Sequence, residues 1–421
     1  MKGVWQRDVP VYDVPIVTRP FIALCGLAAV GMLLVAYREV VGLGAASGMN
    51  DAYAWGIWKT FNTMVLTGLG SSAFALGIAV WIFKKDQLHT VMRTAMLTSF
   101  LAYAFGLAML GVDVGRPWNF YWITMPWHWN LHSPLLEVAV CMSIYASIPL
   151  FLENVPPALE YFWDGFPDYR PLIEKIQKIF VAAFPFVASL AYVLPAMHQS
   201  SLGALMLLAG KRLSPLWQTP FLPLLYVWAA AFLGVAFVTV VLLACGLVWN
   251  RPLDVDVLAE LTRISYWLIV VWLGFRLVDL TVRGQIVAAF AFDFDALLFW
   301  VEMIVLGLAG WKLRESLQKM SPRLMMYGAL LALVGGMMYR FDPTTTAFTP
   351  RAEAVYFPSV IELLISFGFM AIGAVLFLFL VKVLPILPGP ISMWNKMEAE
   401  RAKNLQKRSL AGPGTQFATG D

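Results

Sequence analysis

Long apolar runs, broken by short polar stretches, fill this chain from residue 21 to residue 381. The first covers Phe21 to Tyr37, and nine more follow near Trp58–Phe83, Thr94–Val112, Ser133–Phe151, Ile179–Met197, Phe221–Trp249, Ile264–Val282, Ala296–Trp311, Leu324–Tyr339 and Tyr356–Val381. Runs of roughly 17–25 residues are long enough to cross a hydrocarbon core as helices. They are continuous rather than alternating, which excludes a membrane β-barrel, so the pattern predicts an all-α integral membrane protein with ten transmembrane helices. Ten crossings put both termini on one side. The first run lacks a small-residue cleavage pattern after it and reads as an anchor rather than a removed signal peptide.

Composition agrees with the pattern. Of 421 residues, 60% are hydrophobic and 13% charged, with a mean hydropathy of +0.72, whereas soluble domains are about 25% charged. The basic residues supply the orientation, because Lys and Arg are retained in cytoplasmic loops. The termini and even-numbered loops hold 21 of the 30, so both termini are expected in the cytoplasm. The domain plan that follows is a cytoplasmic stub over residues 1–20, a membrane domain over 21–387 and a basic tail over 388–421. The longest internal loop is expected from about Glu153 to Lys178, Pro-rich and aromatic, on the cytoplasmic side.

With sides assigned, the ionisable residues inside the runs fall in one leaflet. Lys59 and Asn62 open the second run, Asp113 and Arg116 end the third, Glu137 lies just inside the fourth and His198 ends the fifth. Arg276 and Asp279 end the seventh, Glu302 sits early in the eighth, Arg340 ends the ninth and Glu362 lies early in the tenth. Ionisable residues within a membrane span are costly and mark functional sites by default. Pairing between opposite charges, as for Arg276 and Asp279 one turn apart, is the alternative for any single pair. It gives no reason for the whole set to lie toward the extracytoplasmic face.

A faint internal repeat runs through the same residues. Asp113 and Glu137 are 24 residues apart, and Arg276 and Glu302 are 26 apart. Two four-helix bundles of the same direction, over residues 58–200 and 217–341, flanked by the first and tenth spans, would account for it.

Four histidines bound the cofactor chemistry: His89 in a cytoplasmic loop, His128 and His132 after the third run, and His198. Bis-histidine haem ligation needs imidazoles facing each other from neighbouring helices, which this distribution does not offer. Cys25, Cys141 and Cys245 lie inside apolar runs without ligand spacing and read as small core residues, so no iron–sulfur cluster is expected in this chain. A chain with neither haem nor cluster hosts a redox ligand for a partner rather than carrying electrons itself. Gly68, Gly70, Ser71 and Ser72 read as close helix packing.

The stretch Met197-His198-Gln199-Ser200-Ser201-Leu202-Gly203 together with Asp113-Val114-Gly115-Arg116-Pro117-Trp118-Asn119 resembles the haem-free, quinone-interacting membrane subunits of the NrfD or polysulfide-reductase family. Within it, the resemblance is nearest to the ten-span, HybB-type branch of quinone-reactive nickel–iron hydrogenases. Trp55-Gly56-Ile57-Trp58, Glu137 with Val138 to Met142, Pro215-Leu216-Trp217-Gln218, Tyr356-Phe357-Pro358 with Glu362 to Ser366, and Leu384 to Pro388 extend it over residues 16–390. The resemblance implies a quinone (menaquinone or ubiquinone) bound near the extracytoplasmic face beneath a ferredoxin-like iron–sulfur protein, with further redox subunits beyond: a hydrogenase, a multihaem cytochrome or a molybdopterin-type enzyme. His198 then looks like the quinone-carbonyl ligand and proton donor, with Asp113, Arg116, Trp118, Gln199 and Ser200 around it. Glu137 looks like a relay carboxylate, and Glu302, Asp279, Arg276 and Glu362 are the further relay candidates. Family members often have an acid where this chain has Asn62, which cannot release a proton. Trp118, Trp127 and Trp129 could flank the ring or belong to the interfacial aromatic belt.

The expected function is that of a haem-free subunit of a respiratory complex, passing electrons between the iron–sulfur partner and a membrane quinone, and not catalytic alone. The alternative is an anchor or proton-conducting subunit without an exchangeable quinone. A solute transporter would need broken helices and a polar site at the midplane, against the one-sided charge seen here.

Overall fold

The computed structural model describes residues 15–53, 55–249, 254–349 and 355–387. Residues 1–14 of the stub and the tail from Pro388 lie outside the described residues, as does Arg251. Among the described residues there are ten helices long and apolar enough to cross a membrane and no strand beyond two isolated bridges. They are α1 (Arg19–Val41), α2 (Gly56–Ile82), α3 (Asp86–Asp113), α4 (Pro134–Trp163), α5 (Arg170–Leu207), α6 (Leu222–Val248), α7 (Val255–Val282), α8 (Phe294–Lys319), α9 (Pro322–Thr346) and α10 (Val360–Val383).

The anticipated long loop is mostly helix. α4 continues to Trp163 and α5 starts at Arg170, with a single turn at Pro167–Tyr169 between them. Polar residues between Glu153 and Lys178 suggested a break; a helix leaving the apolar layer keeps its backbone bonds and needs no apolar residues to continue. The other end of α5 departs the same way. It runs nine residues past His198, about 13 Å at 1.5 Å per residue, so His198 lies well inside the helix rather than at its end.

Chain ends and loops define two faces. Lys382 Nζ at the end of α10 donates to the carbonyls of Pro15 (2.8 Å) and Ile16 (3.1 Å) ahead of α1. Arg93 near the start of α3 donates to the Pro385 carbonyl and grips Glu160 of α4 with both guanidinium nitrogens, at 3.0 and 2.5 Å. These contacts mark the termini end; the segments 114–133, 208–221, 283–293, 347–349 and 355–359 lie at the opposite end.

Small residues set the closest helix approaches, as in membranes where tight packing replaces the hydrophobic drive. α1 lies along α10, and a Cβ on Gly31 would stand 2.6 Å from the Gly368 Cα. α6 lies among α2, α5, α7 and α9, with Gly234 pressed on the backbone of Ser71 and Ser72. Ser72 Oγ also reaches the Ala95 carbonyl (3.1 Å) and Ser99 Oγ (2.9 Å) on α3, so the glycine and serine stretch of α2 is indeed a packing surface. α2, α4 and α9 are widened by π-helical turns at Thr60–Val65, Ala146–Leu150 and Asp342–Thr346. Such turns recur at functional sites, and those at Thr60–Val65 and Asp342–Thr346 hold buried polar residues.

Candidate functional site

Pro195 lies inside α5, where it cannot donate to the carbonyl four residues back; one turn later comes His198. Its ring is fully buried. Nδ1 lies 3.1 Å from the Val138 carbonyl of α4; since a carbonyl only accepts, Nδ1 carries hydrogen and donates. Nε2 is buried without a partner among the described residues. It is therefore a free acceptor in the neutral ring and a free donor in the protonated one. The Tyr103 ring of α3 stands edge-on, 5.4 Å away.

Gln199 faces α2 and α3, donating from Nε2 to Thr67 Oγ1 (3.1 Å) and to the Tyr103 hydroxyl (3.3 Å). Its Oε1 and the Ser201 hydroxyl are buried and unpartnered among the described residues. Ser200 turns away and donates to the Met197 carbonyl of its own helix (2.9 Å). Gly203 allows α5 to lie against the Leu222–Pro223 backbone. Arg340 of α9 approaches from the other half of the chain: its guanidinium stacks 4.2 Å over the Tyr226 ring and donates to the Tyr226 carbonyl at 2.7 Å. Its Nε and Nη1 have no hydrogen-bond partner among the described residues.

Asp113 ends α3 in a separate cluster nearer the surface. It is buried, and neither carboxyl oxygen has a hydrogen-bond partner among the described residues. Lys59 and Asn62 of α2 and Arg38 of α1 are its polar neighbours. Asn62 Oδ1 accepts from Ser366 of α10 (3.3 Å), while its Nδ2 is unpartnered. Arg116 and Trp118 lie exposed on the following segment, Trp118 with 67% of its surface open. Glu137, one residue before the carbonyl that meets His198, is partly buried in the first turn of α4.

The second half of the chain holds a third cluster. Arg276 is fully buried among the rings of Trp217, Trp272, Phe299 and Tyr339, 5.0–5.7 Å from their centroids. Its Nη2 stands 3.8 Å from Glu302 Oε1, and Glu302 Oε2 accepts from Trp217 Nε1 at 3.0 Å. Asp279 does not pair with Arg276: it meets Arg283 (2.9 Å) and the Thr219 hydroxyl (3.0 Å). Spacings of three and four both bring side chains together on a helix. Here Arg283, four residues on, takes Asp279, while the ring cage and Glu302 hold Arg276.

Glu362 is engaged on every side. Its carboxyl accepts from the Tyr356 hydroxyl at 2.7 Å and from the Gly48 amide, and its own amide is capped by Ser359. Tyr356 in turn accepts from the Ile57 amide at 2.7 Å. Gly56, at φ +48°, leaves room for that ring. This set ties Gly48 and Ile57 to the start of α10.

Sequence reasoning missed Tyr103, Thr67 and Asp342, the last a buried carboxyl in the π-helical end of α9 that accepts from the Thr346 hydroxyl at 2.6 Å. All sit in apolar runs or at their edges; the only signal was a hydroxyl or carboxyl inside a hydrophobic stretch.

The ten apolar helices with polar clusters between them define a multi-pass helical membrane protein. Residues 45–342 match the family described as polysulphide reductase, NrfD, and the chain belongs to that family. It is 34% identical over 392 residues, 92% of this chain and 97% of the relative, to the probable Ni/Fe-hydrogenase 2 b-type cytochrome subunit of Escherichia coli. It is 30% identical over 256 residues, 59% of this chain and 58% of the relative, to the menaquinone reductase integral membrane subunit of Nitratidesulfovibrio vulgaris. A shorter match, 29% over 101 residues and about a quarter of each chain, is to a selenate reductase subunit of Mesobacillus selenatarsenatis. The family and the ten helices make this a multi-pass protein of the prokaryotic cytoplasmic membrane, and its relatives are named as subunits of redox complexes.

The b-type cytochrome in the first relative's name calls for a test of haem here. His198 meets Tyr103, Val138 and no imidazole among the described residues. His89 packs on Trp81 at the termini end, and His128 packs on Trp122 in the 114–133 segment. The residues present do not fit a bis-histidine haem within the helices.

Proposed function

We propose that this chain is the haem-free, quinone-reactive membrane subunit of a respiratory redox complex. Electrons pass between an extracytoplasmic, ferredoxin-like iron–sulfur partner and a membrane quinone that meets His198, within a first four-helix bundle (α2–α5) related to a second (α6–α9). The termini end faces the cytoplasm. One observation carries the reading: His198 Nε2, Gln199 Oε1 and Ser201 Oγ are buried and, among the described residues, unpartnered on one stretch of α5. Buried polar atoms almost always have partners, and leaving one unmade costs about 1–3 kcal/mol. A ligand with carbonyl or hydroxyl oxygens would satisfy them. Menaquinone reductase among the relatives supports a quinone in that role.

Converting a quinone to a quinol adds two electrons and two protons, the electrons arriving from the partner. With Nδ1 held by the Val138 carbonyl, His198 presents one nitrogen to a quinone oxygen: as donor when protonated, as acceptor from the quinol hydroxyl when neutral. Gln199, fixed by Thr67 and Tyr103, limits where that oxygen can sit. Asp113 lies toward the surface, where it shapes the approach; Arg116 and Trp118 are placed to meet a partner or the interface. Arg276 and Glu302 are the relay pair of the second bundle, with Asp279 held apart from them by Arg283 and Thr219.

The test is quinone titration of the purified complex, wild type against His198→Ala. Loss of saturable binding in a variant that still assembles with its partner subunits supports the assignment; unchanged binding overturns it. A wild type that binds no quinone would favour an anchor or proton-conducting subunit instead.

A further inference from the structure

The termini-end half of α2–α5 holds a feature that the quinone reading leaves unused. A cavity of about 80 Å³ lies there, lined by Gly77 and Trp81 of α2, Met92 of α3, Tyr145 and Glu153 of α4, and Tyr192 of α5. About 10–15 Å³ of such volume holds one water, so several fit. Glu153 is the carboxyl in this lining, ten residues inside the termini end of α4, and forms no ion pair or hydrogen bond among the described residues. Arg93, the residue after Met92 of the lining, is already bound to Glu160 and the Pro385 carbonyl. Asn154, next in the chain after Glu153, is spent on the carbonyls of Met96 and Leu150.

From this cavity a line of hydroxyls leads to the quinone site. The Tyr145 hydroxyl is buried without a partner among the described residues, one residue before the π-helical turn that carries Pro149. Its ring meets Tyr103 edge-on at 4.7 Å. The Tyr103 hydroxyl accepts from Gln199, leaving its own hydrogen for another acceptor, and its ring contacts His198. An unpaired carboxyl, room for water and a free hydroxyl in sequence make a path that plain helix packing does not require.

We propose that this cavity is a proton-entry chamber at the termini end, with the Glu153 carboxyl as its loading group, passing protons by way of Tyr145, Tyr103 and intervening waters to a quinone at His198. The proposal rests on the quinone reading above. In the balance, a quinone takes two electrons from the iron–sulfur partner and two protons through the chamber, forming two O–H bonds; each proton that leaves Glu153 is replaced from water at the termini end. Quinol oxidation runs the same path in reverse. Glu153 does not touch the quinone; it acts through the chain of hydroxyls.

The experiment reconstitutes the whole complex in liposomes, with orientation set by accessibility of a C-terminal tag, reduced methyl viologen as donor and a short-chain naphthoquinone as acceptor. Wild type should take up protons from the termini side. Glu153→Gln should bind the naphthoquinone as before, yet slow termini-side uptake by about a hundredfold, the lower end of what placed acid–base groups supply. Glu153→Asp should restore part of it. Redox-induced infrared difference spectra should lose a carboxyl band in the Gln variant only. Should that variant fail to assemble, Ala188→Leu, in the wall of the same cavity, fills it while keeping the carboxyl and should slow uptake likewise. Unaltered rate and sidedness in the Gln or the Leu variant would overturn the chamber, as would wild-type uptake from the opposite side alone. Absence of naphthoquinone binding in wild type would instead remove the quinone reading beneath it.

Discussion

Removing one hydroxyl tests whether Glu362 ties the fold together or relays protons. In Tyr356→Phe the ring keeps its place beneath Gly56, but the donor to Glu362 Oε2 and the acceptor for the Ile57 amide are both lost. Glu362 is fully buried, and a hydrogen bond to a charged group contributes about 1.5–3 kcal/mol. The orphaned amide adds about 1 kcal/mol or more where no water reaches it. The expected cost is about 2–4 kcal/mol, read as a shift in the reversible denaturant midpoint of the detergent-solubilised protein. Quinone affinity should not move, because nothing in this tie touches His198. Burial, and then the hydrogen bond and charge of Glu362, push the Tyr356 phenol above its usual range. A raised pKa in an acid means stability that is complete below the unfolded value of about 10 and is lost as pH rises beyond it. The stability gap between wild type and Tyr356→Phe should therefore be constant through neutral pH and narrow only above about pH 10. A cost under about 0.5 kcal/mol, at the level of an ordinary surface change, would refute the reasoning, as would lost quinone binding with stability intact.

Three further changes probe the scaffold and the site. Gly31→Leu places a side chain where the Gly368 backbone lies 2.6 Å from the first added carbon; overpacking costs about 1–3 kcal/mol, and disulfide trapping between cysteines introduced on α1 and α10 should become inefficient. Arg93→Ala takes the bidentate guanidinium away from the buried Glu160 carboxyl at the termini end. A loss of about 1.5–3 kcal/mol, the worth of hydrogen bonds to a charged group, is expected, part of it recovered in the double variant with Glu160→Gln. Gln199→Leu removes the donor to Thr67 and Tyr103 and should weaken quinone binding by about tenfold, equivalent to about 1.4 kcal/mol, while the protein still assembles.

The ten helices were legible because an apolar run of spanning length has few other fates, and the π-turns and kinks inside them alter no hydropathy. Helix ends were not: α5 continues through Gln199-Ser200-Ser201, polar residues that mark a membrane exit in a hydropathy profile, although Gln199 and Ser201 face protein here. His198 and Gln199 could be chosen from sequence because polar groups in a span stand out. Their partners could not, since Thr67, Tyr103 and the Val138 carbonyl come from three other helices, and pairing across helices leaves no trace in one sequence. The same limit separates Arg276 from Asp279, one turn apart on one helix yet bonded elsewhere. It also joins Glu362 to Gly48 across more than three hundred residues. Glu153 was hidden for a different reason: it lay in a stretch expected to be loop, where a carboxylate needs no explanation.

The central claim, a quinone against His198 among α3, α4 and α5, is tested most directly by photolabelling the purified complex with an azidoquinone and mapping the modified peptides. The account predicts saturable labelling near Tyr103, Val138 and His198 that an excess of unlabelled quinone displaces. Saturable labelling confined to α6–α10, with those three stretches unmodified, would contradict it.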